Sequence, residues 1–145
     1  MNQLSELNLD DDFKEAIAAD DATRWHLDRK AGLEVWVTLA PAGHEEESFT
    51  ARLLWQVYPG DLPPSVLFVD PATGRLGVAG AWPTGSGFRP PNDICATWTL
   101  EGYLTHPEWK TDPTKRLVIR GNALLLIVRT LQHELDINFA GRCRP

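Results

Sequence analysis

Two alternating runs constrain this chain more than anything else in it. From Leu33 to Leu39 (LEVWVTL), Leu33, Val35, Val37 and Leu39 share one face, while Glu34, Trp36 and Thr38 share the other. From Phe49 to Val57 (FTARLLWQV), Phe49, Ala51, Leu53, Trp55 and Val57 fall on one side. A period of two marks a strand with one buried face. The polar stretch between the runs, Ala42-Gly43-His44-Glu45-Glu46-Glu47, predicts that they pair as part of a meander. Ser65 to Val69 (SVLFV), uniformly apolar and closed by Asp70-Pro71-Ala72-Thr73-Gly74, predicts a third strand.

Helices flank this sheet. Asp10 to Ala19 (DDDFKEAIAA) opens with three acids, which suit the positive end of a helix, and spaces Phe13, Ala16 and Ile17 at helical intervals. Asn122 to Asp136 (NALLLIVRTLQHELD) sets Leu124, Ile127, Val128, Leu131 and Leu135 on one stripe, with Arg129, Gln132 and Glu134 opposite. That stripe predicts a helix packed on the sheet, with His133-Glu134 on its solvated side. Between sheet and helix, Arg75 to Pro91 carries Gly77, Gly80, Gly85, Gly87, Pro83, Pro90 and Pro91, which predicts a loop with at most one short strand. The order is helix, three or four strands, irregular segment, helix. It predicts an α+β class and a single domain over residues 1–145.

At 145 residues, 43% hydrophobic and with six tryptophans, the chain can bury one proper core. Trp36, Trp55 and Trp109 read as core or sheet-face residues, Trp82 and Trp98 as partly exposed contacts. Fourteen basic against twenty acidic side chains leave a net charge of −6, the wrong sign for neutralising phosphates, so no nucleic-acid partner is expected. Met1 to Asp12 lacks the basic start and apolar run of a secretory signal, and no stretch approaches the roughly 20 apolar residues of a membrane span. The expectation is a cytoplasmic protein with no membrane partner. Its two cysteines, Cys95 and Cys143, make no disulfide framework and stay thiols in a reducing compartment.

Cys95 is the residue most suited to chemistry. It follows the Pro/Gly-rich stretch, in Pro90-Pro91-Asn92-Asp93-Ile94-Cys95, and precedes the long apolar helix, where a chain surfaces and exposes a reactive group. The alternative is a small buried hydrophobe. Cys143, in Gly141-Arg142-Cys143-Arg144-Pro145, reads as a mobile surface thiol. His26, His44, His106 and His133 show no spacing with cysteines or carboxylates that suggests zinc, so no metal is expected. Gly85-Ser86-Gly87 lacks the flanks of a nucleophile elbow, and the glycines from Gly74 to Gly87 do not form a phosphate loop, so no cofactor is expected either.

Taken together, Tyr58-Pro59, Pro63-Pro64 running into Val66-Leu67-Phe68-Val69, Ile94-Cys95, Trp109 and the apolar helix from Leu124 resemble the ubiquitin-conjugating enzyme (UBC-like) family. The most specific element is the Tyr-Pro-x-x-x-Pro-Pro turn before an apolar strand. The resemblance covers about residues 10–136, leaving 137–145 as a tail. It departs from the family in two places. Where the family has His-Pro-Asn several residues before the cysteine, this chain has Arg89-Pro90-Pro91-Asn92, and the stretch from Ala96 to Glu108 is longer than expected. Such divergence resembles a bacterial, phage-defence member of the fold.

The resemblance implies a thioester carrier. The Cys95 thiolate would take a ubiquitin-like modifier from an activating enzyme and yield it to an amine of a target protein, with a deconjugating peptidase as a further associate. Sulfur suits this because the thiolate is strongly nucleophilic and the thioester stays reactive toward lysine. The transfer step develops an oxyanion, for which Asn92 is the candidate donor or loop support. Asp93, Glu101 and His106 are the local candidates for activating the incoming amine. Each also has a plain role open to it: turn cap, solvated charge and loop closure respectively. Asp112-Pro113 reads either as a turn or as a gate for the amine. The other reading of the whole chain is a catalytically inactive binding or scaffold module of the same fold, with Cys95 inert.

Overall fold

A computed structural model describes residues 3–144. The protein is α+β: an N-terminal helix, a four-stranded antiparallel meander, an irregular segment and a C-terminal helix that packs beside the first. The strands are β1 (Trp25–Arg29), β2 (Glu34–Leu39), β3 (Phe49–Leu54) and β4 (Ser65–Val69), each paired with its neighbour in sequence. The register sets Leu27 opposite Val37, Val37 opposite Ala51, and Ala51 opposite Phe68, so one file of inward side chains crosses the sheet. These side chains merge with the stripe of α3 (Ala123–Asn138) in a single buried cluster, in which Leu124, Ile127, Val128, Leu131 and Leu135 are at most 1% exposed. Fully burying each such side chain is worth about 1.5–3 kcal/mol.

β2 falls where the alternation places it, and β4 where the uniformly apolar run does. β3 stops at Leu54, three residues before the expected end. Trp55 is still buried, but Val57 is exposed because the chain is already turning toward Tyr58-Pro59. β1 has no counterpart in the sequence reading, since only Trp25 and Leu27 mark its inward face.

The first helix, α1 (Gln3–Ile17), begins seven residues before the expected Asp10. Its core face includes Ser5, whose Oγ accepts a hydrogen bond from the Tyr58 N–H at 3.1 Å, while Leu4 and Leu7 point outward. A polar residue inside and two leucines outside erase the periodicity that marks a helix. Asp10 and Asp12 therefore lie in mid-helix rather than at a terminus. Asp10 pairs with Arg29 at 2.9 Å, and Asp12 accepts the Tyr58 hydroxyl. That hydroxyl also accepts the Leu124 N–H at 2.8 Å, so buried Tyr58 ties α1 to the start of α3. Burial and the Asp12 carboxylate push the phenol above its ordinary range.

α3 starts where expected. Asn122 is its N-cap, with Oδ1 accepting from the Leu125 N–H at 2.8 Å. Toward its other end, Asp136 joins three segments: it accepts both Arg24 guanidinium nitrogens at 2.9 Å, the Ala42 N–H at 2.8 Å and the Gln132 amide. Burial works against its charge, but these donors together hold its pKa below the ordinary carboxylate value.

Two further expectations are overturned. Trp82 and Trp98 are buried at 1% and 6%, and the Trp82 ring meets Phe68 edge-on at 5.0 Å. The tail is docked rather than mobile: Thr84 N–H donates to Gly141 O, Ala140 N–H to Thr84 O, and Cys143 N–H to Trp82 O, at 2.7–2.8 Å. Arg142 fastens it further, reaching Glu47, the Gly80 and Ser48 carbonyls and the Phe49 ring face. Cys143 is accordingly half-buried.

Candidate active site around Cys95

The Pro/Gly-rich stretch ends in a small hairpin of β5 (Phe88–Arg89) and β6 (Asp93–Ile94). Phe88 and Ile94 are its buried anchors, and Arg89 closes it by a bidentate pair with Asp93 at 2.6 and 2.8 Å. The hydrogen bond and charge of Asp93 hold the Arg89 guanidinium above its ordinary pKa, and the charge of Cys95 adds in the same direction. Gly87, with φ of 88°, lets its carbonyl turn back to accept the Cys95 N–H at 3.3 Å.

Beyond the cysteine the chain turns into a short helix, α2 (Leu100–Thr105). Thr99 is fully buried and makes the turn. Its hydroxyl donates to Ile94 O at 2.6 Å and accepts from the Gly102 N–H at 3.0 Å. Gly102 packs so closely that a Cβ there would lie 2.0 Å from the Ala96 carbonyl oxygen. Cys95 is thus held from both sides by backbone, while its thiol is free and half-buried.

The thiol opens on a cavity of about 220 Å³. Phe88, Ile94 and Trp98 supply its apolar wall, and Ser86, Gly87, Ala96 and Thr97 complete the loop side. Opposite stands the last turn of α3, with Glu134 and Asn138. Asn138 Nδ2 donates to Glu134 Oε2 at 2.6 Å. The end of this helix and the loop touch: a Cβ on Gly85 would fall 1.8 Å from the Asn138 carbonyl oxygen.

Of the other residues singled out from sequence, Asn92 is exposed on the hairpin turn, its N–H donating to Arg89 O at 2.8 Å. Asp93 is engaged by Arg89. Glu101 is taken up at the head of β4, accepting from Ser65 Oγ at 2.5 Å and from the Val66 N–H at 3.0 Å, so it is not a solvated charge. His106 lies 3.3 Å from Glu108 and stacks on Trp109 at 4.3 Å. Asp112 caps its own turn, and the Thr114 hydrogen bonds lower its pKa. None of these five is among the side chains lining the Cys95 cavity.

Glu134 and Asn138 do line it, and sequence reasoning passed them over. Glu134 was read as solvated because it faces away from the leucine stripe, yet it is half-buried under the loop. Their four-residue spacing puts both on one helix face. Nothing in the sequence says that this face meets Cys95. The arrangement is a thiol, a carboxylate and an amide around one small cavity. No helix among the described residues is long and apolar enough to cross a membrane. No known family model matches the sequence, and no curated protein matches it.

Proposed function

We propose that this protein is a ubiquitin-conjugating-enzyme-like carrier of the bacterial, phage-defence kind. It accepts a ubiquitin-like modifier from an activating enzyme as a thioester on Cys95 and transfers it to an amine of a target protein in the cytoplasm. The observation that carries this reading is the free, half-buried Cys95 beside its cavity, presented by a hairpin after a helix and a four-stranded meander and backed by a C-terminal helix. An attacking thiolate needs such access. One observation favours the scaffold reading instead: Asn92, the only asparagine near Cys95 in sequence, stands exposed on the hairpin turn.

Charging decides between the two. The purified protein, with Cys143→Ser to remove the second thiol, is incubated with ATP, an activating enzyme and its ubiquitin-like modifier, then run on a non-reducing gel. The carrier gives a thiol-sensitive band heavier by one modifier. Cys95→Ala abolishes that band, and Cys95→Ser replaces it with a thiol-resistant oxyester. No band from the parent with the activating enzyme visibly loaded overturns the carrier reading in favour of the scaffold, and unchanged charging of the alanine variant overturns Cys95 as the residue that carries the modifier.

A further inference from the structure

Independently of the carrier reading, we infer that residues 116–120 are a docking edge for an extended acidic segment of a partner protein, which adds to them as an antiparallel strand.

The run from Arg116 to Arg120 alternates in its surroundings. Leu117 and Ile119 are half-buried and pack against the core, while Arg116, Val118 and Arg120 are exposed, Val118 at 53%. A period of two is that of a strand with one covered face. No strand of the described residues pairs with it. The Leu117 N–H is taken by the Tyr103 hydroxyl at 2.7 Å, whereas Val118 and Arg120 have no hydrogen-bond partner among the described residues. Successive residues of a strand aim their backbone groups at opposite edges, so the edge of Leu117 is turned to α2 and the edge of Val118 and Arg120 is unpaired. Such an edge is a template for another chain.

Charge selects the occupant. Lys110, Lys115, Arg116 and Arg120 stand against one acid, Asp112, between Lys110 and Arg120, in a chain whose net charge is −6. None of these four cations forms an ion pair among the described residues. Asp112 is engaged by Thr114. A cavity of about 590 Å³ borders residues 116–119, so there is room beside them, and its wall adds Lys110 and one acid, Asp61. An antiparallel neighbour centred on Val118 places its own outward side chains opposite Arg116, Val118 and Arg120. Favourable cross-strand pairs there are an acid, an apolar residue and an acid, each separated by one residue of any kind. A second copy of this chain does not fit, because the same pairing would set Arg116 against Arg120 twice. A nucleic acid would answer the cations but leave the backbone edge and Val118 unused.

The test titrates the end-capped peptide Glu-Thr-Val-Thr-Glu into isotope-labelled protein and follows backbone amides by NMR. The Val118 and Arg120 amides are expected to shift and saturate. Thr-Glu-Val-Glu-Thr, which has the same charge with its acids moved to the other face, and Lys-Thr-Val-Thr-Lys are each expected to bind about tenfold or more weaker. N-methylation of the probe's valine, which removes the donor to the Val118 carbonyl, is expected to weaken binding about tenfold. Arg116→Glu combined with Arg120→Glu should transfer the preference to the lysine peptide, a gain that a misfolded protein could not show. No shift of these amides at millimolar probe overturns the inference. Equal binding of Thr-Glu-Val-Glu-Thr overturns it by assigning the surface to charge alone, and equal binding of the N-methylated probe overturns strand addition. Tighter binding of an oligothymidylate than of the probe overturns it in favour of a nucleic acid. None of these outcomes depends on whether Cys95 can be charged.

Discussion

From Trp25 to Val69 every strand pairs with its neighbour in sequence, and the inward side chains join the α3 stripe in one cluster. From Asp70 to Gly121 the longest strand has two residues, and the chain is fastened at points: Thr99 to Ile94, Glu101 to β4, Thr84 to Gly141, and the Tyr103 hydroxyl accepting the Leu117 N–H at 2.7 Å. The first region is held by area, spread over paired strands, while the second enters the same core at a few anchors, Trp82, Phe88, Ile94 and Trp98, and is otherwise fastened by single hydrogen bonds and close backbone approaches. A structure held by area loses stability in proportion to what is removed. One held at points gives way wherever one point is lost, and Cys95 lies in the region held at points.

The sharpest way to break this contrast is Gly102→Ala. The added Cβ meets backbone, the Ala96 carbonyl oxygen at 2.0 Å, so either α2 or the turn after Cys95 must move. Urea unfolding should show a loss of about 4 kcal/mol, and alkylation of Cys95 in the native protein should accelerate. Stability within about 0.5 kcal/mol of the parent would show that the turn is not tightly packed.

A paired measurement sharpens the comparison. Leu131→Ala, in the fully buried stripe, should cost about 2–5 kcal/mol and leave native-state alkylation of Cys95 unchanged. Thr99→Val should cost less, about 1–3 kcal/mol for two broken buried hydrogen bonds, yet speed alkylation, because those bonds set the turn that seats the thiol. If Leu131→Ala opens Cys95 as much as Thr99→Val does, the two regions unfold as one and the contrast fails.

The smallest effect concerns Asp136, a point fastener that serves the first region, where it ties α3 to the Ala22–Arg24 turn and the β2–β3 connection. Its folded pKa lies below the ordinary value of 3.8, so its contribution is complete above that pH and is lost as the pH falls through the folded pKa. Asp136→Asn should be less stable than the parent by about 1–2 kcal/mol at pH 7. That difference should shrink as urea midpoints are followed below pH 3.8. A difference that stays constant to acid pH would assign the loss to packing rather than to charge.

Legibility in the sequence follows the same division. β2 and α3 were readable because burial by area leaves a period written residue by residue, and β4 because a short unbroken apolar run closed by turn residues marks a buried strand. β1 and the first turns of α1 were not, because Trp25 and Leu27 are too few and Ser5 occupies a core position. The hairpin and α2 escaped because close approach and single caps leave no period: Gly102 is needed only because Ala96 is behind it. At the candidate site the thiol could be picked out by type and position. Its company could not. Asp93, Glu101 and His106 were near Cys95 along the chain, whereas Glu134 and Asn138 come to it only through the packing of α3's last turn against Gly85.

The docked tail carries a consequence for how the molecule is made. Thr84 is bonded to Gly141, 57 residues later, and Trp82 to Cys143. During synthesis at about 5–20 residues per second, the loop that holds Gly87 and Cys95 waits roughly 3–11 s for the strand that pins it. The strands of the meander emerge first, but the loop before Cys95 lacks its bonds at Trp82 and Thr84 until the tail has been delivered. A stall before Gly141 would leave the segment around Trp82 and Thr84 without the backbone bonds that pin it.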